Sequence, residues 1–150
     1  MEINYVYSGS CTYIVNEKTI TLNQGDICLL DTNVVHETKY IGEEDIIINI
    51  SITKSFFNNS FLTRLSNQGI ITNFLINSLM EDQNHNKYIV FPYDNNSKIN
   101  ILMKNLLCEY YNRDICYDEV LDSYMILVFS ELVRIFNNNQ NRYENNSMKE

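Results

Sequence analysis

Gly25-Asp26-Ile27-Cys28-Leu29-Leu30-Asp31-Thr32-Asn33-Val34-Val35-His36 is the stretch that decides the fold of this 150-residue chain. It begins with a Gly-Asp turn, continues as a short apolar run, and reaches a histidine after a polar kink. Apolar runs of this length that are bounded by turn residues are typical of buried strands. The stretch therefore predicts a strand from Ile27 to Leu30 that carries His36 just beyond its end.

Two strands are predicted before this stretch, and at least one after it. Tyr5-Val6-Tyr7 and Thr12-Tyr13-Ile14-Val15 are rich in aromatic and β-branched residues, and Asn16-Glu17-Lys18 predicts the hairpin turn that follows. The run from Ile46 to Ile52 begins as continuous apolar sequence, which predicts a strand buried on both faces. Strands spaced by about ten residues are typical of a sandwich or a barrel.

The apolar spacing becomes helical after Thr53. The spacing over residues 55 to about 81 predicts a short helical insertion. The run Tyr88-Ile89-Val90-Phe91 predicts a late strand that ends before Pro92. Two amphipathic helices follow, from Ile99 to about Tyr110 and from about Asp118 to Asn137. The predicted fold class is mainly β with C-terminal α. The domains are a β unit over 1–92, a helical hairpin over 93–139 and a polar tail over 140–150.

The last helix is apolar over more than half of its circumference, so it needs covering from two sides. One of its stripes has the 4-3-4-3 spacing of a helix–helix seam. We expect this stripe to form the interface of a homodimer, through Leu121, Met125, Val128, Leu132 and Ile135.

Composition excludes several classes of function. The net charge is −8, with 11 basic and 19 acidic residues, so the chain offers no basic surface and should not bind DNA unaided. The 4 cysteines show no Cys-x-x-Cys spacing, and we expect reduced thiols and no cofactor. We find neither a membrane-spanning run nor a signal peptide, and we expect a cytoplasmic protein. The sequence contains neither a Ser-His-Asp order nor a phosphate-binding glycine loop, so no motif indicates an enzyme.

Two spaced motifs carry a resemblance to known proteins. Glu2, six residues and Gly9 match the end of the first cupin motif, while Gly25 and His36 keep the spacing of the second. Asp31, Asn33 and Tyr40 depart from the residues that the second motif usually has. The chain resembles a cupin barrel and, more narrowly, the effector-sensing domain of AraC-type bacterial transcription regulators. The similarity to that family continues later in the chain. It includes the segment Ile52-Thr53-Lys54-Ser55-Phe56-Phe57, the strand before Pro92, and the two helices that end in Glu109-Tyr110-Tyr111 and Glu131-Leu132-Val133-Arg134.

The resemblance implies a cupin-like β-barrel (jelly roll) followed by a helical hairpin. It also implies a function: ligand sensing and dimerisation, with the small-molecule effector bound in the barrel. Such a domain reaches DNA only through a helix-turn-helix domain, for which residues after Arg134 leave no room, and the tail would be a linker toward it. The alternative is a stand-alone small cupin enzyme, a metal-dependent isomerase or dioxygenase.

The resemblance also directs attention to the polar residues of the barrel strands. In metal-binding cupins, the positions of Glu2 and His36 supply two of the ligands, which falls short of the usual three or four. We therefore expect no metal. Strand alternation from Glu2 and His36, with the polar interruptions of the late apolar strand, gives six inward-facing candidates for effector binding: Asn4, Ser8, His36, Thr38, Asn49 and Ser51. They suit a neutral or hydroxylated ligand such as a sugar. We expect Tyr5, Tyr7 and Tyr13 to pack beneath the helices instead.

Overall fold

The computed structural model describes residues 1–31, 34–39, 41–56 and 88–147 of the chain, which divides into two compact units, Met1–Tyr93 and Asp94–Glu150. Most of the predicted helical insertion, residues 57–81, lies outside the described residues. The elements are β1 (Glu2–Ser8), β2 (Ser10–Val15), β3 (Lys18–Asn23), β4 (Ile27–Leu30), β5 (His36–Thr38), β6 (Ile46–Ser51), a 3-10 helix (Lys54–Phe56), β7 (Tyr88–Phe91), α1 (Ile99–Asn112) and α2 (Tyr117–Ser147).

The first unit contains two antiparallel sheets. One has four strands in the order β6-β1-β4-β7, and the other has three in the order β3-β2-β5. Every strand pairing in both sheets is antiparallel among the described residues. This strand-rich unit, consistent with a cupin-like sandwich and followed along the chain by two helices, confirms the predicted fold class.

One core lies between the two sheets. Val6, Cys28 and Leu30 of the four-stranded sheet belong to the same buried cluster as Tyr13 and Val15 of the three-stranded sheet. Side chains of directly paired residues in antiparallel strands lie on the same face of the sheet, so the strand register defines the whole of each face. We call the side facing this core the inner face. It consists of Glu2, Asn4, Val6, Cys28, Leu30, Ile47, Asn49, Ser51, Tyr88 and Val90 on one sheet and Cys11, Tyr13, Val15, Lys18, Ile20, Leu22, His36 and Thr38 on the other.

β6 is less buried than its apolar sequence predicts. In the described part of the chain it pairs with β1 and lies at the edge of its sheet. Ile46 is 47% exposed as a result, and Asn49 and Ser51 are exposed as well. The prediction of a strand buried on both faces is wrong, because an apolar run does not show how many strands flank it.

A carboxylate fixes the turn between β1 and β2. Asp45 accepts hydrogen bonds from the backbone N–H of Ser10 at 3.0 Å and from that of Gly42 at 2.6 Å. Gly9 has a φ of 74°, and a Cβ at this position would overlap the Asp45 carboxylate. Glycine is therefore required here both for the left-handed backbone and for the close approach of Asp45.

The second unit is a helical hairpin whose first helix is capped by its second. Glu131 of α2 is buried, and its Oε1 accepts hydrogen bonds from the Lys98 backbone N–H at 3.0 Å and from the Ser97 hydroxyl at 3.2 Å. These contacts satisfy polar groups at the start of α1 that the helix itself leaves unpaired. At the other end, the Arg113 N–H donates to Glu109 O in a left-handed cap with φ 46°.

The stripe of α2 that the sequence assigns to a dimer seam is buried in the single chain. Val128 and Leu132 are completely buried, while Phe129 and Val133 of the neighbouring stripe are buried as well. The stripe as a whole is core, half-buried at its first position and buried at the others: Leu121, Met125, Val128, Leu132 and Ile135. Burial of this stripe within the single chain does not favour it as a dimer seam, and the seam stays a prediction.

α2 is also longer than predicted. It runs from Tyr117 to Ser147, so residues 140–147 of the predicted polar tail are helical. Asn, Gln, Arg and Glu are tolerated in helices, and no Gly or Pro interrupts this segment. Neither helix of the described chain is long and apolar enough to cross a membrane.

Candidate functional site

Polar side chains collect at one end of the inner face, where β1 begins and β6 ends. Glu2 pairs with Ser51, and Asn4 pairs with Asn49. Since paired residues share a face, these four side chains lie together on the inner face. Strand alternation predicts this placement for Asn4, Asn49 and Ser51, and the register agrees.

β5 contributes polar residues to this end from the opposite sheet. His36 pairs with Val15, and Thr38 pairs with Tyr13, so both lie on the inner face. His36 Nε2 is 3.6 Å from Glu2 Oε2, and this contact joins the two sheets. We call the group Glu2, Asn4, His36, Thr38, Asn49 and Ser51 the polar end of the inner face.

The orientation of His36 follows from its second ring nitrogen. Nδ1 lies 3.2 Å from the Val34 carbonyl oxygen. A carbonyl oxygen can only accept, so Nδ1 carries the proton of this hydrogen bond. In the neutral imidazole Nε2 is then an acceptor, and it faces a second acceptor in the Glu2 carboxylate. This pair can receive a hydrogen-bond donor, or form an ion pair when His36 is protonated.

Asn4 is the most deeply buried residue of the polar end. It is 1% exposed, and its Nδ2 has no hydrogen-bond partner. Burying an amide donor without a partner costs about 1 to 3 kcal/mol, and native structures hold few such groups. A group that stays unpaired at this cost is free to bond to a ligand.

Ser8 is separated from the other candidates. The register shifts between Val6 and Ser8, where Ser8 pairs with Ile46 instead of continuing the alternation. Its hydroxyl lies 3.4 Å from the Glu44 carbonyl oxygen, to which it donates. Strict alternation does not extend through a bulge, and Ser8 therefore does not join the polar end.

Tyr13 lies on the inner face, which differs from the expected position beneath the helices. Its ring meets the His36 ring edge to face, with centroids 6.1 Å apart and an interplanar angle of 71°. Burial, with a hydrogen bond to Cys11, raises the pKa of the Tyr13 hydroxyl above its usual value. Tyr13 therefore remains neutral beside His36. The alternation of buried Cys11, Tyr13 and Val15 was the signal in the sequence that could have identified it.

The polar end offers few ligands for a metal. Glu2 and His36 are adjacent, as the cupin resemblance requires of two metal ligands. Among the described residues, no three side chains of His, Cys, Asp or Glu are grouped so that they could hold an ion. A site of usual affinity needs three or four protein ligands.

Comparison with known proteins identifies the family. Residues 1–83, more than half of the chain, match the AraC-like ligand binding domain. The matched region contains every residue of the polar end. A search of curated proteins found no match. The chain belongs to the family of AraC-like ligand binding domains.

Proposed function

We propose that this chain is the effector-sensing domain of an AraC-type transcription regulator, and that it binds a small molecule at the polar end of the inner face. The observation that carries the proposal is the buried, unpaired amide of Asn4. It lies on the same face as Glu2, whose carboxylate is 3.6 Å from His36. An amide donor and a pair of acceptors that share one interior face are the groups a ligand-binding site needs.

Family membership supports a regulatory role over a catalytic one. AraC-like ligand binding domains are regulatory. The alternative of a cupin isomerase or dioxygenase needs a metal, and the described residues offer two of the required ligands. Tyr13, the residue packed on His36, is held neutral by burial, so it is suited to hydrogen bonding and not to acting as a base.

The proposal includes three further parts that rest on the family alone. The sensor relays its ligand to a helix-turn-helix domain on another segment, acts as a homodimer, and works in the cytoplasm, where a regulator meets its DNA. Because the α2 stripe is buried in the single chain, we propose that the dimer forms through a different surface. Leu127 of α2, 48% exposed, belongs to the apolar surface that remains available. Sedimentation as a monomer at tens of micromolar would remove dimerisation from the proposal.

A thermal-shift screen tests whether the chain binds a small molecule. The library should include sugars, amino acids, nucleosides and organic acids. A ligand at 100 times its dissociation constant adds about 2.7 kcal/mol to the stability, which raises Tm by about 5 to 10 °C for a chain of this size. We expect at least one saturable rise of this kind.

Two variants connect the rise in Tm to the polar end. His36→Ala should remove it, whereas Asp122→Ala, a change at an exposed position of α2, should leave it intact. A rise that survives in His36→Ala would locate the ligand elsewhere, and the absence of any rise across the library would contradict the sensing function.

A further inference from the structure

We propose that the turn between α1 and α2 is a docking surface for another protein, whose binding segment is basic and carries apolar side chains. We call residues 109–119, from the end of α1 to the start of α2, the hairpin tip. They lie outside residues 1–83, which match the AraC-like ligand binding domain. Docking at the hairpin tip is therefore a further binding function, in addition to the proposed binding of a small molecule.

Three large apolar side chains of the hairpin tip are exposed. Ile115 is 87% exposed, Tyr111 is 77% exposed and Tyr110 is 46% exposed. Other residues of α1, such as Met103 and Leu106, are buried and form the core of the hairpin. Exposed apolar side chains that are grouped together and surrounded by polar residues are typical of protein interaction sites. Packing of the hairpin therefore does not account for these three side chains.

The aromatic rings of the hairpin tip are ordered by contacts with one another and with an arginine. Tyr110 and Tyr111 meet edge to face, with ring centroids 5.4 Å apart and an interplanar angle of 87°. The Arg113 guanidinium lies over the Tyr110 ring, 5.7 Å from its centroid, and over the Tyr117 ring, 5.6 Å from its centroid. Tyrosine and arginine are enriched among the residues that carry most of the energy of protein interfaces. Side chains that are held in place before binding also lose less entropy on association.

The backbone of the turn fixes Ile115 in its exposed position. Arg113 and Cys116 have left-handed backbones, with φ of 46° and 60°, which residues other than glycine rarely adopt. Between them, the Ile115 N–H donates to Asp114 Oδ1 at 2.7 Å, and the Tyr117 N–H donates to the Asp114 carbonyl oxygen at 3.1 Å. These hydrogen bonds order the backbone around Ile115, so its side chain meets a partner with little rearrangement.

The charge of the hairpin tip defines the chemistry of the partner. Residues 109–119 include four carboxylates and one guanidinium. Three of the carboxylates are exposed, those of Asp114, Asp118 and Glu119. The single guanidinium, that of Arg113, lies over two tyrosine rings. Lysine or arginine residues of a partner complement this excess of negative charge, while its apolar residues cover the exposed apolar side chains.

The same charge makes other occupants of the hairpin tip unfavourable. A second copy of the chain, whose net charge is also −8, would bring two acidic hairpin tips together in a symmetric interface. Like charges across an interface oppose association. Nucleic acids and anionic lipid surfaces are negative too, and the proteins that bind them use basic residues. We therefore assign the hairpin tip to a basic segment of a different protein.

Selection of random peptides tests the chemistry of the partner. Phage-displayed random peptides should be selected on the immobilised full chain, and the dominant peptide should be synthesised with a fluorescent label. We expect this peptide to combine a positive net charge with aromatic or aliphatic residues, and to bind the chain in fluorescence anisotropy measurements. A dominant peptide that is acidic or neutral, or no enrichment at all, would overturn the proposal.

Two identical substitutions test whether the peptide binds at the hairpin tip. Ile115→Ser should weaken its affinity by about fivefold or more, whereas Ile101→Ser, at a 60% exposed position near the start of α1, should change it by less than about twofold. Both variants should keep the Tm of the unmodified protein, because both truncate exposed side chains. If Ile115→Ser melts at a lower temperature, Tyr111→Ser provides the same comparison. Affinity that is equal in the unmodified protein and the hairpin-tip variant contradicts docking at this surface.

Charge variants separate the hairpin tip from the net charge of the whole chain. Asp114→Asn with Asp118→Asn removes two carboxylates of the tip, and asparagine keeps an oxygen that can accept the Ile115 N–H. Glu43→Gln with Glu44→Gln makes the same change of net charge at exposed positions of the first unit. We expect the first pair to weaken peptide binding by about fivefold or more, and the second by less than about twofold. Equal weakening would mean that the peptide follows the net charge of the chain, and the assignment to the hairpin tip would be wrong.

Sedimentation equilibrium distinguishes a basic partner from a second copy. The unmodified chain and Ile115→Ser should have the same oligomeric state at the same concentration, because the hairpin tip does not pair with itself. A dimer of the unmodified chain that Ile115→Ser converts to a monomer would assign the hairpin tip to a second copy and overturn the proposal.

Discussion

At the scale of single residues, three buried polar groups of the inner face differ in whether the cost of burying them is met. The Tyr13 hydroxyl is hydrogen-bonded to Cys11, and burial keeps it protonated. The Cys28 thiol is fully buried, and burial raises its pKa to about 12. The Asn4 amide has neither a partner nor a protonation state that would reduce its cost. Of these three groups, the Asn4 amide is the one that keeps an unmet hydrogen bond, so it is the most directly available to a ligand.

The Cys28 thiol predicts how stability depends on pH. The pKa in the folded state is raised from 9.0 to about 12, so the folded protein holds this proton more tightly than the unfolded chain does. The contribution is fully present below pH 9 and is lost as the pH rises from 9 toward 12. We expect Cys28→Ala to lose less of its free energy of unfolding over this range than the unmodified protein, as measured by urea denaturation at a series of pH values.

Cys108→Ala is the control for this experiment, because it removes an exposed thiol. Its stability should fall with pH as steeply as that of the unmodified protein. Parallel curves for the unmodified protein and Cys28→Ala would show that the buried thiol does not couple folding to protonation.

At the scale of secondary-structure elements, a single side chain links the two helices of the hairpin. The spacing of α2 suggests that Glu131 lies on a narrow polar arc together with Arg134. The two side chains are in contact, 3.4 Å apart, but their environments differ: Glu131 is buried and caps α1, whereas the Arg134 side chain is 71% exposed. Sequence periodicity assigns a residue to a stripe of its helix. It does not reveal that another helix begins beside that residue.

Glu131→Ala should therefore destabilise the chain by about 1 to 3 kcal/mol, because the Lys98 N–H loses its acceptor at the start of α1. Hydrogen exchange should quicken in the first turn of α1. Arg134→Ala removes only a 3.4 Å contact at the surface and should change stability by less than about 0.5 kcal/mol. Equal effects of the two substitutions would indicate that Glu131 acts through its ion pair and not as a cap.

The same scale shows which parts of the fold the sequence could predict. β1, β2, β4 and β7 follow from local alternation and turn chemistry, which depend on neighbouring residues. The exposure of β6 depends on which strands flank it, and burial of the α2 stripe depends on distant parts of the chain. Both depend on tertiary structure. The local apolar pattern is the same whether a helix face packs against its own chain or against a partner chain.

At the scale of the whole molecule, the net charge and the family describe one kind of protein. A net charge of −8 does not favour DNA binding by this chain, and residues 1–83 match the AraC-like ligand binding domain. The polar end lies entirely within that region. The cupin resemblance assigns Glu2 and His36 to two positions of one ligand set, and their side chains lie 3.6 Å apart. The bulge that removes Ser8 and the missing partner of Asn4 depend on strand register and packing, which the motif spacing does not specify.

The central claim is that a small molecule binds at the polar end, and side-chain resonances measure this most directly. The ¹⁵N-labelled protein should be titrated with the compound that gives the largest rise in Tm, and the Asn4 amide resonance identified by its loss in Asn4→Leu. We predict saturable shifts of the Asn4 side-chain amide and the His36 ring, with smaller shifts for Asn49. Shifts confined to residues 94–147, with the Asn4 amide unchanged at saturation, would contradict the account.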